Sequence, residues 1–187
     1  MIVLVVFLIV VLALVAMVAM TGVGLYNNLI QARVACDTAW SNIDVQLKRR
    51  HDLIPNLVET VKGYAAHEKT TLEDVTRFRA QAMQATTADG KVAAENQLSG
   101  ALTKLFAVAE NYPDLKASQQ FSQLQSALSQ TEDSIQNSRS GYNAAVQNLN
   151  TSIQSFPASL LAGSFGFQPR TFFAAADTDR EPVAVKF

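Results

Sequence analysis

Hydrophobic positions follow three different patterns along the chain. From Ile2 to Met20 nearly every residue is Val, Leu, Ile, Ala or Met, uninterrupted by Pro or Gly, and the first charged side chain is Arg33. A helix packed in a globular core needs only an apolar stripe, whereas this segment is apolar all round. About 20 such residues rise roughly 30 Å, the hydrocarbon thickness of a bilayer. Residues 1–25 therefore read as a transmembrane anchor, and the lipid bilayer is the first partner expected. A cleaved signal peptide would need a positive leader, a shorter run and a small-x-small site. No Lys or Arg precedes the run, and Val18-Ala19-Met20-Thr21 is a poor site, so a retained anchor is favoured.

Beyond the anchor the period changes to seven. Leu29, Cys36, Ile43, Arg50, Leu57 and Tyr64 recur at that spacing, and Trp40, Leu47, Ile54 and Val61 fall four residues after members of the row. Together they make one face of a helix over about 26–65. Pro55 predicts a kink in it, since proline removes one backbone donor. Thr70-Thr71-Leu72-Glu73 has the pattern of a capping box and opens a second tract, about 70–111. That tract carries Leu72, Val75, Phe78, Ala82, Leu98, Leu102, Leu105 and Ala109. Asp89-Gly90 is a turn signal within it, so it is one helix or two. Tyr112-Pro113-Asp114 stops it. The third tract, about 117–155, keeps Phe121, Leu128, Ile135, Tyr142, Leu149 and Phe156 at a strict spacing of seven. Long tracts joined by short connections predict an all-α fold: an N-terminal transmembrane helix continuing into an antiparallel up-down-up helical bundle over residues 26–156.

The last stretch, 157–187, loses the helical period and reads as a non-helical aromatic tail. It holds five of the ten phenylalanines: Phe165, Phe167, Phe172, Phe173 and Phe187. These either fold back on the bundle or contact a neighbour or the bilayer surface, and they are the expected partner or self-association contacts.

Charge narrows the function. With 15 basic and 16 acidic residues the net charge is −1, and no basic stripe with interleaved aromatics occurs, which argues against nucleic acid as a partner. Arg33, Lys48, Arg49 and Arg50 all follow the anchor, so the positive-inside bias predicts an outside N-terminus and a cytoplasmic bundle. Arg50 falls in an apolar row. An unpaired buried guanidinium costs several kcal/mol, so a structural ion pair is expected, with Glu132 or Glu110 as partner, or else a side chain reaching to solvent.

Catalytic chemistry finds no footing. His51 and His67 lack a second ligand nearby, His67-Glu68 is followed by Thr71 where a zinc-protease helix needs histidine, and Cys36 sits on the apolar row as a core thiol. No catalytic residue, metal site or cofactor is assigned.

Several stretches resemble the LemA family of bacterial membrane-anchored helical proteins. They are Tyr26-Asn27-Asn28-Leu29, the run from Trp40 through Arg50-His51-Asp52-Leu53-Ile54-Pro55-Asn56-Leu57 to Tyr64, Glu110-Asn111-Tyr112-Pro113-Asp114-Leu115-Lys116, Tyr142-Asn143, and Phe165-Gly166-Phe167. The resemblance implies an anchor and a long helical bundle in the bacterial inner membrane. It also implies links to membrane stress, to membrane metalloproteases and, in one branch, to organelle biogenesis. It brings no catalytic residues. The expected function is a non-enzymatic membrane scaffold that forms homo-oligomers or binds membrane proteins. The alternatives are an adaptor of a membrane metalloprotease and an uncharacterised hydrolase.

Overall fold

The structure, a computed structural model, describes residues 1–173, with the backbone alone at 88 and 89. Its elements are α1 (Ile2–Lys62), α2 (Lys69–Gln84), α3 (Ala88–Ala109), α4 (Pro113–Lys116), α5 (Gln119–Gln154) and α6 (Ser159–Ala162), with no strand among the described residues. Residues of the first turns of α1 through Met20 are exposed, and this part of the helix is long and apolar enough to cross a membrane. The chain divides into two compact units. One comprises Met1–Trp40 with Ser140–Phe172, the other Ser41–Arg139 with Phe173.

In the second unit α1 buries Ile43, Leu47, Arg50, Ile54, Leu57 and Val61, alternating steps of four and three residues. That rhythm keeps one seam of a helix facing its neighbours. Against it lie Leu72, Val75 and Ala82 of α2, Leu98, Leu102 and Leu105 of α3, and Phe121 and Leu128 of α5. The second tract is two helices, as the Asp89-Gly90 signal left open. The break falls slightly earlier, however: Ala85 and Thr87 are extended, at ψ 123° and 152°. Thr87 caps α3, its Oγ1 accepting the Gly90 N–H at 3.1 Å, so Gly90 lies in the first helical turn. A Cβ on Gly90 would come 2.7 Å from that hydroxyl, so a larger residue there would displace the Thr87 side chain from its capping position.

Two local expectations change. The capping box at Thr70 does not form, because α2 already begins at Lys69 and Glu68 is its N-cap residue, without a side-chain cap bond. The Glu68 carboxylate instead accepts the Tyr112 hydroxyl at 2.9 Å. Tyr64 and Phe156, read as row members, are 48% and 81% exposed. Both lie past a helix end, where the seven-residue phase no longer applies. At Pro55 the helix does not end: α1 continues through it to Lys62.

In the first unit α1 buries Leu29, Ala32 and Cys36, and α5 buries Tyr142, Val146, Leu149 and Ile153. The segment after α5 carries more regular structure than a non-helical tail. α6 makes one turn, and the chain then closes with Gly166 N–H to the Gly163 carbonyl (3.1 Å) and Phe167 N–H to the Ala162 carbonyl (3.0 Å). This paired closure needs a left-handed residue, and Gly166 supplies it at φ 72°.

Candidate functional site

Arg50 is 1% exposed, and its guanidinium joins three helices. Nη1 donates to Glu132 Oε2 of α5 at 2.7 Å and to Ser99 Oγ of α3 at 3.1 Å, while Nη2 pairs closely with Glu95 Oε2 of α3. The other Glu95 oxygen, Oε1, lies 2.8 Å from His51 Nε2. Glu95 is as buried as Arg50. Burial alone would push its carboxyl up, but the hydrogen bond to His51 and the charges of Arg50 and His51 outweigh that and hold it below the ordinary carboxylate value. Arg50 thus has the carboxylate partner its place in the row demands, and it has two. Glu132 is one. Glu110, the other acid anticipated, pairs with Lys116 at 2.5 Å instead.

The backbone beneath this cluster is shaped by Pro55. In a helix the carbonyl of residue 51 would accept the N–H of residue 55, and proline has none. Arg79 of α2 takes the vacated acceptor, its Nε donating to the His51 carbonyl at 2.7 Å. The same residue, His51, is therefore held at its ring by Glu95 and at its main chain by Arg79. Neither Glu95 nor Arg79 was anticipated from the sequence. A signal existed for each: Glu95 stands three residues before Leu98 and seven before Leu102, on the apolar row, and Pro55 announces a free carbonyl four residues earlier.

Most polar atoms of the cluster are paired, Arg50 Nε being the exception. A cavity of about 460 Å³ between α3 and α5 has Arg50, Ser99 and Glu132 in its wall, but the terminal nitrogens of Arg50 are already engaged by protein acceptors. A charge so neutralised holds helices together better than it captures an outside anion. Among the described residues no group of three or more His, Cys, Asp and Glu side chains could hold a metal ion. Cys36 is fully buried, and burial raises its thiol above the ordinary range, which disfavours the reactive thiolate.

The tail phenylalanines separate into two kinds. Phe167 and Phe173 are 4% and 5% exposed, packed within the chain, with Arg33 over the Phe167 ring and Arg139 over the Phe173 ring. Phe165 and Phe172 remain about half exposed. Phe187 lies outside the described residues. The fold-back is clamped by polar contacts: Asn150 exchanges two 2.9 Å hydrogen bonds with the backbone of Arg170, the Tyr142 hydroxyl donates to the Thr171 carbonyl at 3.2 Å, and Arg170 pairs with Asp37 at 2.6 Å.

The second unit also bears an open groove of about 680 Å³ between α1 and α2. Val58, Ala66, Leu72 and Ala80 contribute apolar lining, and Glu59, Lys62, Lys69, Glu73 and Arg77 supply charges of both signs.

Several known proteins are similar to this chain in sequence. Protein LemA of Metamycoplasma hominis is 27% identical over 165 residues, covering 86% of this chain and 74% of its own length. Magnetosome protein MamQ 2 of Paramagnetospirillum magneticum is 26% identical over 184 residues, covering 84% of this chain and 68% of the relative. Magnetosome protein MamQ of Magnetospirillum gryphiswaldense is 24% identical over the same shares. The sequence profile of the LemA family matches residues 39–187, a span that holds the Arg50 cluster, the α1–α2 groove and the clamped tail; the chain belongs to the LemA family.

Proposed function

We propose that this protein is a membrane-tethered, non-catalytic scaffold whose bundle binds protein, a second copy of itself first, through the α1–α2 groove. The groove carries the reading. Ala66 and Ala80 are exposed in it beside the half-buried Val58, and Glu59, Lys62, Lys69, Glu73 and Arg77 mix both signs along one face. Such a margin is complementary to itself, as a two-fold contact between identical surfaces requires. The apolar start of α1 supports anchoring, with the bundle on the cytoplasmic side as the basic residues after the anchor favour.

The test is the mass of the full chain in mild detergent, measured by light scattering on a sizing column. A multiple of the 20.3 kDa chain mass is expected, and Ala80→Glu, at an exposed position in the groove, should reduce it to one. A single-chain mass at every concentration would defeat the self-association reading.

A further inference from the structure

Exposed apolar side chains of the first unit gather near the base of the anchor, and their role rests on the anchoring proposed from the start of α1. Contacts fix the height of the post-α5 turn along α1. Tyr26, the residue that follows the apolar segment, meets the Phe165 ring edge-on at 5.2 Å and the Phe167 ring at 5.8 Å. The end of α5 reaches the same level. Trp40 and Tyr142 meet edge-on at 5.2 Å. Moving from Trp40 toward the N-terminus and from Tyr142 toward the C-terminus, Asp37 and Asn150 are bridged by Arg170, so the two helices run antiparallel. Fourteen residues back from Trp40 is Tyr26, and fourteen on from Tyr142 is Phe156. At 1.5 Å per residue the α1 step is about 21 Å, and the α5 step is about 18 Å to the helix end at Gln154, with Phe156 two residues beyond.

Phe156, Leu160 and Phe165 therefore gather at the level where the anchor leaves the hydrocarbon, and they are 81%, 69% and 50% exposed. Three large apolar side chains left in water at that height have one neighbour already in place, the lipid around the anchor. Aromatic residues favour this zone, and the Arg33 guanidinium lies 5.4 Å from the centre of the Phe167 ring, seven residues beyond Tyr26.

We propose that the turn from Ser155 to Gly166 is an interfacial foot: Phe156, Leu160 and Phe165 enter the head-group layer beside the anchor. Membrane attachment then has two points, and the foot sets how the first unit stands on the bilayer surface.

Single cysteines at Phe156, Leu160 and Phe165, carrying an environment-sensitive fluorophore, test this in the full chain reconstituted into phosphatidylcholine–phosphatidylglycerol vesicles. Buried Cys36 makes the unsubstituted protein the labelling blank. Val11→Cys reports the anchor, and exposed Ser140→Cys reports the bundle. Lipids bearing a nitroxide on the upper acyl chain should quench all three foot labels at least about two-fold and leave the Ser140 label unchanged, as the interfacial preference of these side chains requires. A nitroxide at mid-chain should quench the Val11 label. Foot labels as bright as the Ser140 label, with Val11 quenched, would overturn the foot and keep the anchor. Foot labels shielded from water yet unquenched would mean that protein covers the patch, which also overturns it. An unquenched Val11 label would remove the anchor, and the foot with it.

Discussion

Taking the guanidinium of Arg50 away leaves Glu95, 1% exposed, with a charge that only His51 answers. Removing one partner of a buried pair costs far more than the pair contributes. Arg50→Met should lower unfolding free energy by about 3–5 kcal/mol in urea titrations of the detergent-solubilised chain. Arg50→Lys should rescue little of this, since one ammonium cannot span two carboxylates and a serine as a planar fork does. The same cluster sets an acid limit. The folded pKa of Glu95 lies below its ordinary value of 4.5, so the folded state prefers the carboxylate. Its stabilisation is present above 4.5 and is lost as pH falls from there through the lowered folded value. Glu95→Gln should therefore be less stable at neutral pH and show a shallower decline in acid, measurable as unfolding midpoint against pH. An equal slope in the two proteins would place the acid sensitivity elsewhere. Arg79 offers a cleaner coupling. With Pro55 present, Arg79→Met strands the His51 carbonyl and should cost about 1.5–3 kcal/mol, the range for a hydrogen bond to a charged group. With Pro55→Ala the helix supplies its own N–H, and the Arg79 substitution should cost much less. Additive effects in the double-mutant cycle would show that Pro55 and Arg79 act separately.

Among the elements, the long helices were legible because burial imposes a period on residue type. Leu29, Cys36, Ile43 and Leu57 repeat at seven because one face of α1 is covered, and Phe121, Leu128, Ile135, Tyr142 and Leu149 do the same on α5. The break in the second tract was legible only to within a few residues. Asp-Gly marks turns in general, but here Thr87 outcompetes it as a helix cap and draws Gly90 into α3. Arg50 was legible as an ion-paired residue in an apolar row, whereas the identity of Glu95 depended on which helices α1 meets, a matter of tertiary topology. The tail was least legible. Its closure depends on Gly166 in a left-handed conformation and on Asn150 pairing with a backbone twenty residues on. Those contacts make it part of the first unit, with Ala158, Ala162 and Phe167 buried. Asn150→Ala removes both bonds to Arg170 and should cost about 1–3 kcal/mol, with hydrogen exchange rising selectively over 158–171. Unchanged exchange there would mean that apolar packing alone holds the segment.

At the scale of the whole molecule, the anchor and the Arg50 cluster draw on separate residues. None of the second unit's core side chains comes from the apolar start of α1, and residues through Met20 are exposed. Membrane attachment should consequently be removable without unfolding the second unit. Leu12 and Val15 lie near the middle of the apolar run. An arginine at the centre of a spanning helix costs about 2.5–3.5 kcal/mol on insertion scales, so Leu12→Arg with Val15→Arg should cost roughly 5–7 kcal/mol. That is enough to shift the chain from the carbonate-resistant membrane fraction to the soluble or aggregated fraction, while Leu12→Phe should leave it in the membrane. In the released chain, hydrogen-exchange protection of peptides containing Leu57, Leu98 and Leu105 should match that of the parent protein in detergent. A double-arginine variant that stays in the membrane would refute the spanning role of α1. One that leaves the membrane and also loses protection at Leu98 would show that the second unit needs the bilayer to fold, and that attachment and the Arg50 clamp are a single energetic system.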